Sequence, residues 1–151
     1  MIRGSDLHIL HAMIPNLPTD YVIGHEPMGI VEEVGPEVTK LKKGDRVILP
    51  FNVSCGHCWY CPHDLTSQCD NSNPHGEMGI CIGYSETTGG YACGQAEYMR
   101  VSFGNFTPFK IPENCEVEDE KLVLLADAAG TAYWSVDHAR VKDRDTVVIL
   151  G

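Results

Sequence analysis

"YVIGHEPMGIVEEVGPEVTKLKKGDRVILPF", residues 21–51, decides the fold class. Its β-branched runs are punctuated by Gly24, Gly29, Gly35, Gly44 and prolines, so that "GIVEEVG" (29–35) and "RVILPF" (46–51) flank the turn-like "LKKGD" (41–45). The segment predicts strands joined by tight turns. Residues 79–103, "GICIGYSETTGGYACGQAEYMRVSF", repeat the style, with Gly89, Gly90 and Gly94 as turn signals and "AEYMRVSF" (96–103) alternating as a half-buried strand does. The chain up to residue 110 is therefore expected to be mostly β.

The remainder changes character. "VEDEKLVLLADAAGTAYWSVDHARV" (117–141) leads acidic residues into an Ala/Leu-rich run, which predicts a helix broken in two at Gly130 and Thr131. "DTVVILG" (145–151) is a continuous apolar run ending on glycine, the pattern of a strand buried on both faces of a parallel sheet. The sequence holds no internal repeat and no low-complexity segment.

A chain of 151 residues is long enough to bury about 70% of its unfolded surface, so size alone requires neither a metal nor a disulfide. The net charge of -10, from 21 acidic against 11 basic residues, opposes a phosphate backbone and excludes nucleic acid as a partner. No apolar stretch approaches the roughly 18 residues of a membrane span, and "MIRGSDLHIL" has no signal-peptide core. A cytoplasmic protein without membrane contact is expected. In that reducing compartment, clustered cysteines are metal ligands or catalytic thiols more often than disulfides, and the odd total of seven agrees.

Four of the seven stand in "CGHCWYCPHDLTSQC" (55–69) as C-x2-C-x2-C-x7-C: Cys55, Cys58, Cys61 and Cys69. That spacing lets three thiolates curl round one ion while the loop returns the fourth. Four sulfurs at about 2.3 Å close a tetrahedral zinc site with no position left for substrate. A thiol-redox reading needs a single C-x-x-C opening a helix, whereas two overlap here beside Gly56 and Pro62. Cys81, Cys93 and Cys115 have no ligand spacing and read as buried or incidental thiols.

Three further places carry candidate chemistry. His25 and Glu26 put an imidazole beside a carboxylate before a β run, although a satisfied core histidine is the commoner explanation of such a pair. "GSDLH" (4–8) offers a hydroxyl, a carboxylate and an imidazole, or equally a Ser5 or Asp6 cap for a helix beginning at Leu7. Asp127 sits in the apolar "LLADAAG", where a carboxylate needs a cation, a proton or water; a solvated helix face is the plainer alternative.

Taken together and in order, "GSDLH", "GHEPMGIVEEVG", "KKGDRV", the cysteine run, "TGGYACGQAEYMRV" and "DTVVILG" resemble the zinc-dependent alcohol dehydrogenases of the medium-chain dehydrogenase family, specifically their GroES-like domain. "LADAAGTAYWSV", with aspartate where many members have cysteine, is similar to the formaldehyde- and threonine-dehydrogenase-like branches. The resemblance implies a mainly β fold with a few helices. Residues 1–116 would form a partly open GroES-like β-barrel, incomplete at its N-terminus, with a structural zinc lobe at 55–69. Residues 117–151 would be a helical connector and the first strand of a Rossmann domain that the chain lacks.

The resemblance also implies roles. His25, Glu26 and Asp127 fall at a catalytic zinc, Ser5 where a hydroxyl takes the alcohol proton, and His8 where an imidazole passes it to solvent. Asp6 falls where a carboxylate orients the ligand histidine. Thr131 matches a nicotinamide contact, and Gly151 stands where the G-x-G-x-x-G fingerprint begins. The implied reaction transfers hydride between an alcohol or aldehyde and NAD(P), with zinc as Lewis acid.

Two departures shape the expectations. Arg3 stands where the family places a cysteine ligand in "CGSD", and a guanidinium has no lone pair for zinc. The catalytic zinc is therefore expected to be weak or absent, with Arg3 repelling the ion or pairing with the carboxylates. The NAD(P)-binding half is expected to lie outside these residues, so no turnover is expected from them alone, and exposed sheet edges are expected to produce a homo-oligomer. The competing reading is a non-catalytic, zinc-stabilised β module that acts by binding.

Overall fold

In the computed structural model, residues 2–14, 17–76, 79–85, 88–91 and 94–150 are described. Cys93 and Gly151 lie outside them.

A three-stranded antiparallel sheet in the order β1-β2-β3 organises the fold: β1 (Met28–Ile30), β2 (Arg46–Ile48) and β3 (Phe109–Lys110). The register pairs Met28 with Ile48 and Ile30 with Arg46, then Val47 with Lys110. β2 is central, and its Val47 and Ile48 are buried, as the β-branched "RVIL" run requires. The turn before β2 is locked by Asp45, whose carboxylate accepts the Lys42 N–H at 2.9 Å and meets Lys110 Nζ at 2.8 Å. Those hydrogen bonds, from Lys110 first and then Lys42, hold the Asp45 carboxyl below the usual carboxylate range.

The core has three parts. Ile48, Ile111, Leu122 and Ala126 pack with Met28 and Cys115 under the sheet. Val53, Ile80 and Ile82 pack with Phe51, Tyr91, Met99 and Phe103. The four cysteines form the third cluster with Tyr60 and, again, Phe103.

One sheet with a few short helices agrees with the expected class, but the strands are short and the sheet does not close into a barrel. "AEYMRVSF" alternates in sequence yet forms no strand among its residues; its backbone runs irregularly, and Tyr98 is 78% exposed. Residues 145–150 likewise form no strand, and Ile149 is 90% exposed.

The helices differ from expectation in their boundaries. α1 (Gly4–Leu10) starts at Gly4, with Arg3 rather than Ser5 or Asp6 at its N-cap. Asp6 instead lies in the first turn, where its carboxylate accepts the Arg3 N–H at 2.6 Å. α2 (Asp119–Leu122) continues into a 3-10 turn over Val123–Ala126. The break falls at Asp127, which leaves helical geometry at φ -149° and ψ -71°, and α3 (Ala128–His138) runs straight through Gly130 and Thr131. Asp127 O accepts the Thr131 N–H at 3.1 Å, so Gly130 is spanned by the first turn rather than ending a helix.

Candidate metal centres

The four clustered cysteines come together in the lobe. A turn over Cys55–Cys58 and two 3-10 turns, Cys61–His63 and Thr66–Gln68, bring all four side chains to one buried point. Gly56 opens this with φ +82°, and a Cβ there would lie 2.6 Å from the Phe106 ring. The sulfurs are 3.5 Å (Cys58–Cys61), 3.8 Å (Cys58–Cys69) and 3.9 Å (Cys55–Cys61) apart. A tetrahedron with metal–sulfur bonds of about 2.3 Å has edges of about 3.8 Å, so the four residues fit zinc.

The thiols are electrically unequal. Burial opposes ionisation of Cys55, but the N–H groups of His57 and Cys58, with help from Cys69 and Asn71, outweigh it and bring its pKa down to about 6. Burial, reinforced by its sulfur neighbours, pushes Cys61 up to about 12. Four thiolates this close repel one another, and a cation between them removes that repulsion.

The second centre joins residues distant in sequence. Gly94 and Gln95 donate backbone N–H groups to Gly24 O at 2.9 Å and Ile23 O at 3.0 Å, which fixes the chain leading into His25. His25 is buried, with Phe51 edge-on to its ring at 6.5 Å. Its Nε2 lies 3.6 Å from Asp127 Oδ2, delivered by the break between the 3-10 turn and α3. The other Asp127 oxygen accepts Thr131 Oγ1 at 3.3 Å. Glu26 is fully buried, and ligand atoms of His25, Glu26 and Asp127 lie within 4.8 Å of one another.

Arg3 enters this group. Its Nη1 is 3.0 Å from Glu26 Oε1. One imidazole and two carboxylates form a donor set that can hold a divalent ion, and their ligand atoms lie close enough together to share one. The residues thus fit a metal, but the guanidinium competes with it for Glu26.

The remaining expected residues are distributed round this point. Ser5 is half-buried and His8 exposed on α1, whose start is tied to the centre by Arg3. Asp6 does not reach His25; its oxygens take the Arg3 N–H and Gln95 Nε2, the latter at 3.4 Å. Thr131 is exposed on α3. Cys81, half-buried, has its thiol pushed up to about 11 by burial and by the charge of Asp127.

Two participants escaped the sequence reading. Gln95 bridges Asp6 and the His25 approach, and Asn71 reaches Cys55 Sγ at 3.6 Å. Only the position of Asn71, two residues after the last cysteine of the run, could have signalled it.

Residues 1–113 match the family model described as the alcohol dehydrogenase GroES-like domain. The chain is 67% identical over 150 residues to the uncharacterized zinc-type alcohol dehydrogenase-like protein AdhB of Bacillus subtilis, covering 99% of this chain and 40% of that protein. It is 40% identical to a glutathione-independent formaldehyde dehydrogenase of Pseudomonas aeruginosa, covering 99% of this chain and 37% of the relative. The solved alcohol dehydrogenase TADH from Thermus sp. ATN1 superposes with a TM-score of 0.81 at 35% identity, over 92% of this chain and 37% of that one. The chain therefore spans about two fifths of the length of the curated relatives it matches.

Proposed function

The chain belongs to the zinc-type alcohol dehydrogenases through their GroES-like domain, and from that membership we propose that it forms the metal-binding part of an oxidoreductase moving hydride between an alcohol or aldehyde and NAD(P). The observation that carries this is the convergence of His25, Glu26 and Asp127 from segments a hundred residues apart. A core histidine needs no second carboxylate brought to it over such a distance.

The four-cysteine lobe holds a structural zinc, being closed and buried. At the second centre, zinc held by His25, Glu26 and Asp127 would polarise the substrate oxygen, and the nicotinamide of the whole protein would accept hydride. This chain's residues bind, orient and move the proton. The Ser5 hydroxyl takes the alcohol proton and the exposed His8 imidazole releases it to water. Asp127, steadied by Thr131 through one oxygen, presents the other toward His25. Thr131 would contact the nicotinamide, as the family resemblance implies; the Gly151 expectation lies outside the described residues. Arg3 weakens metal binding by holding Glu26.

These residues alone turn over no alcohol, and the whole protein is a cytoplasmic homo-oligomer. Among the described residues no helix is long and apolar enough to cross a membrane. The test is a chimera in which this chain replaces the matching 150 residues of the Bacillus relative. With Arg3→Cys it should oxidise an alcohol or formaldehyde with NAD(P), and Ser5→Ala or His25→Ala should cost about 10²-fold or more. A zinc-loaded, folded chimera without turnover would leave the non-catalytic binding module as the better reading.

A further inference from the structure

Hydrogen bonds to the four sulfurs are unevenly shared. Cys69 Sγ accepts the Cys55 N–H at 3.3 Å. Cys55 Sγ accepts three donors: the backbone N–H groups of His57 at 3.4 Å and Cys58 at 3.3 Å, and the Asn71 side-chain amide at 3.6 Å. Among the described residues, no other side-chain nitrogen donates to any of these sulfurs.

The Asn71 amide has two hydrogens, and both are placed. Its nitrogen also lies 3.5 Å from His57 Nε2, while His57 Nδ1 lies 3.0 Å from Cys55 O. A carbonyl only accepts, so Nδ1 carries the ring proton and Nε2 is left to accept from Asn71. The amide orientation follows, since its oxygen could accept from neither a thiolate sulfur nor an unprotonated Nε2. Asn71 thus links the first cysteine, 16 residues earlier, to the segment just beyond the last, with no metal needed to make the link.

Cys55 and His57 also line a cleft of about 580 Å³ with Val38, Phe103 and Phe106. Metal loss begins with protonation or capture of a thiolate. N–H donors drain charge from the sulfur and slow both.

We infer that Asn71 is a positioning residue of the four-cysteine centre, closing the loop and shielding the Cys55 sulfur so that bound metal leaves slowly. This rests on the reading of the four cysteines as a zinc site. The test follows transfer of zinc from the loaded chain to excess chromophoric chelator. Asn71→Ala should start with the same zinc content and lose it about 10-fold faster. Asn71→Asp should lose it faster still, because a carboxylate donates no hydrogen bond and repels the thiolates.

With cobalt in place of zinc, Asn71→Ala should move the sulfur-to-metal charge-transfer band to lower energy, which loosening of a distant loop would not do. Equal release rates and an unshifted band overturn the inference while leaving the zinc reading intact; a wild-type chain that binds no metal overturns both. Should the variants fail to accumulate, the unmodified chain loaded with an NMR-active cadmium isotope must show scalar coupling between metal and Asn71 amide, and its absence overturns the inference equally.

Discussion

Arg3 Nη1 sits 3.0 Å from a Glu26 carboxylate that is fully buried, while the Arg3 side chain remains 33% exposed. A buried carboxylate must have a counter-charge, and here the chain supplies one where the family resemblance puts a thiolate ligand. Any metal entering between His25, Glu26 and Asp127 has to take Glu26 from that guanidinium. Arg3→Cys removes the competitor and adds a donor, so metal content should rise from about one zinc per chain to about two, one per site, by elemental analysis. Arg3→Ala removes the competitor without adding a donor. Without added zinc it should lose roughly 2 kcal/mol of stability in urea unfolding, less than for a fully buried pair because the guanidinium is partly in water. An unchanged zinc count in Arg3→Cys would mean that the three remaining residues do not form a metal site.

Between elements, the pairing of residues 23–24 with 94–95 carries His25 into place. Gly24 has φ +103°, and a Cβ there would meet Gln95 Cγ at 2.8 Å and its backbone N at 3.0 Å. Gly24→Ala should therefore cost about 1–3 kcal/mol by urea unfolding, and lower metal uptake at the His25 centre while leaving the cysteine lobe loaded. Such glycines were visible in the sequence as turn signals, and so was β2, because a buried β-branched run between turns has few alternatives; β1 stops at Ile30, short of the expected 29–35 run, and its Gly29 and Ile30 are exposed. The path of 96–103 was not legible. Alternation says which faces a strand would present, but a strand also needs a ladder partner, and among the described residues none is supplied to Tyr98 and its neighbours. The helix break was misplaced for a related reason. Gly130 is a poor helix former, yet a first-turn position tolerates it, whereas Asp127 is drawn out of helical geometry toward His25 by contacts that local sequence does not contain.

Across the whole molecule, cohesion is unevenly distributed, and this governs what metal removal should do. The sheet cluster is aliphatic and the second cluster is aliphatic and aromatic, but the lobe core consists of four cysteines with Tyr60 and Phe103. No strand crosses residues 55–69, only two single 3-10 turns. That cysteine constellation was fully legible from spacing, since a tetrahedral ion dictates which side chains meet; the second centre was legible only through family resemblance, as its members are scattered. Without metal, neighbouring thiols keep their protons or repel as thiolates, and nothing apolar replaces the lost bonds. Chelation at neutral pH should therefore open the lobe first. Proteolysis should begin within 55–76, and amide exchange there should accelerate while Val47 and Ile48 in β2 stay protected. Acid should act in the same direction, because protons compete with the metal for thiolates and affinity falls as pH falls. Phe103 belongs to both the lobe and the second cluster, so its surroundings should loosen next, ahead of the sheet. Simultaneous loss of protection in the lobe and in β2 on chelation would mean instead that one cooperative unit spans both, and that the zinc stabilises the sheet as much as its own loop.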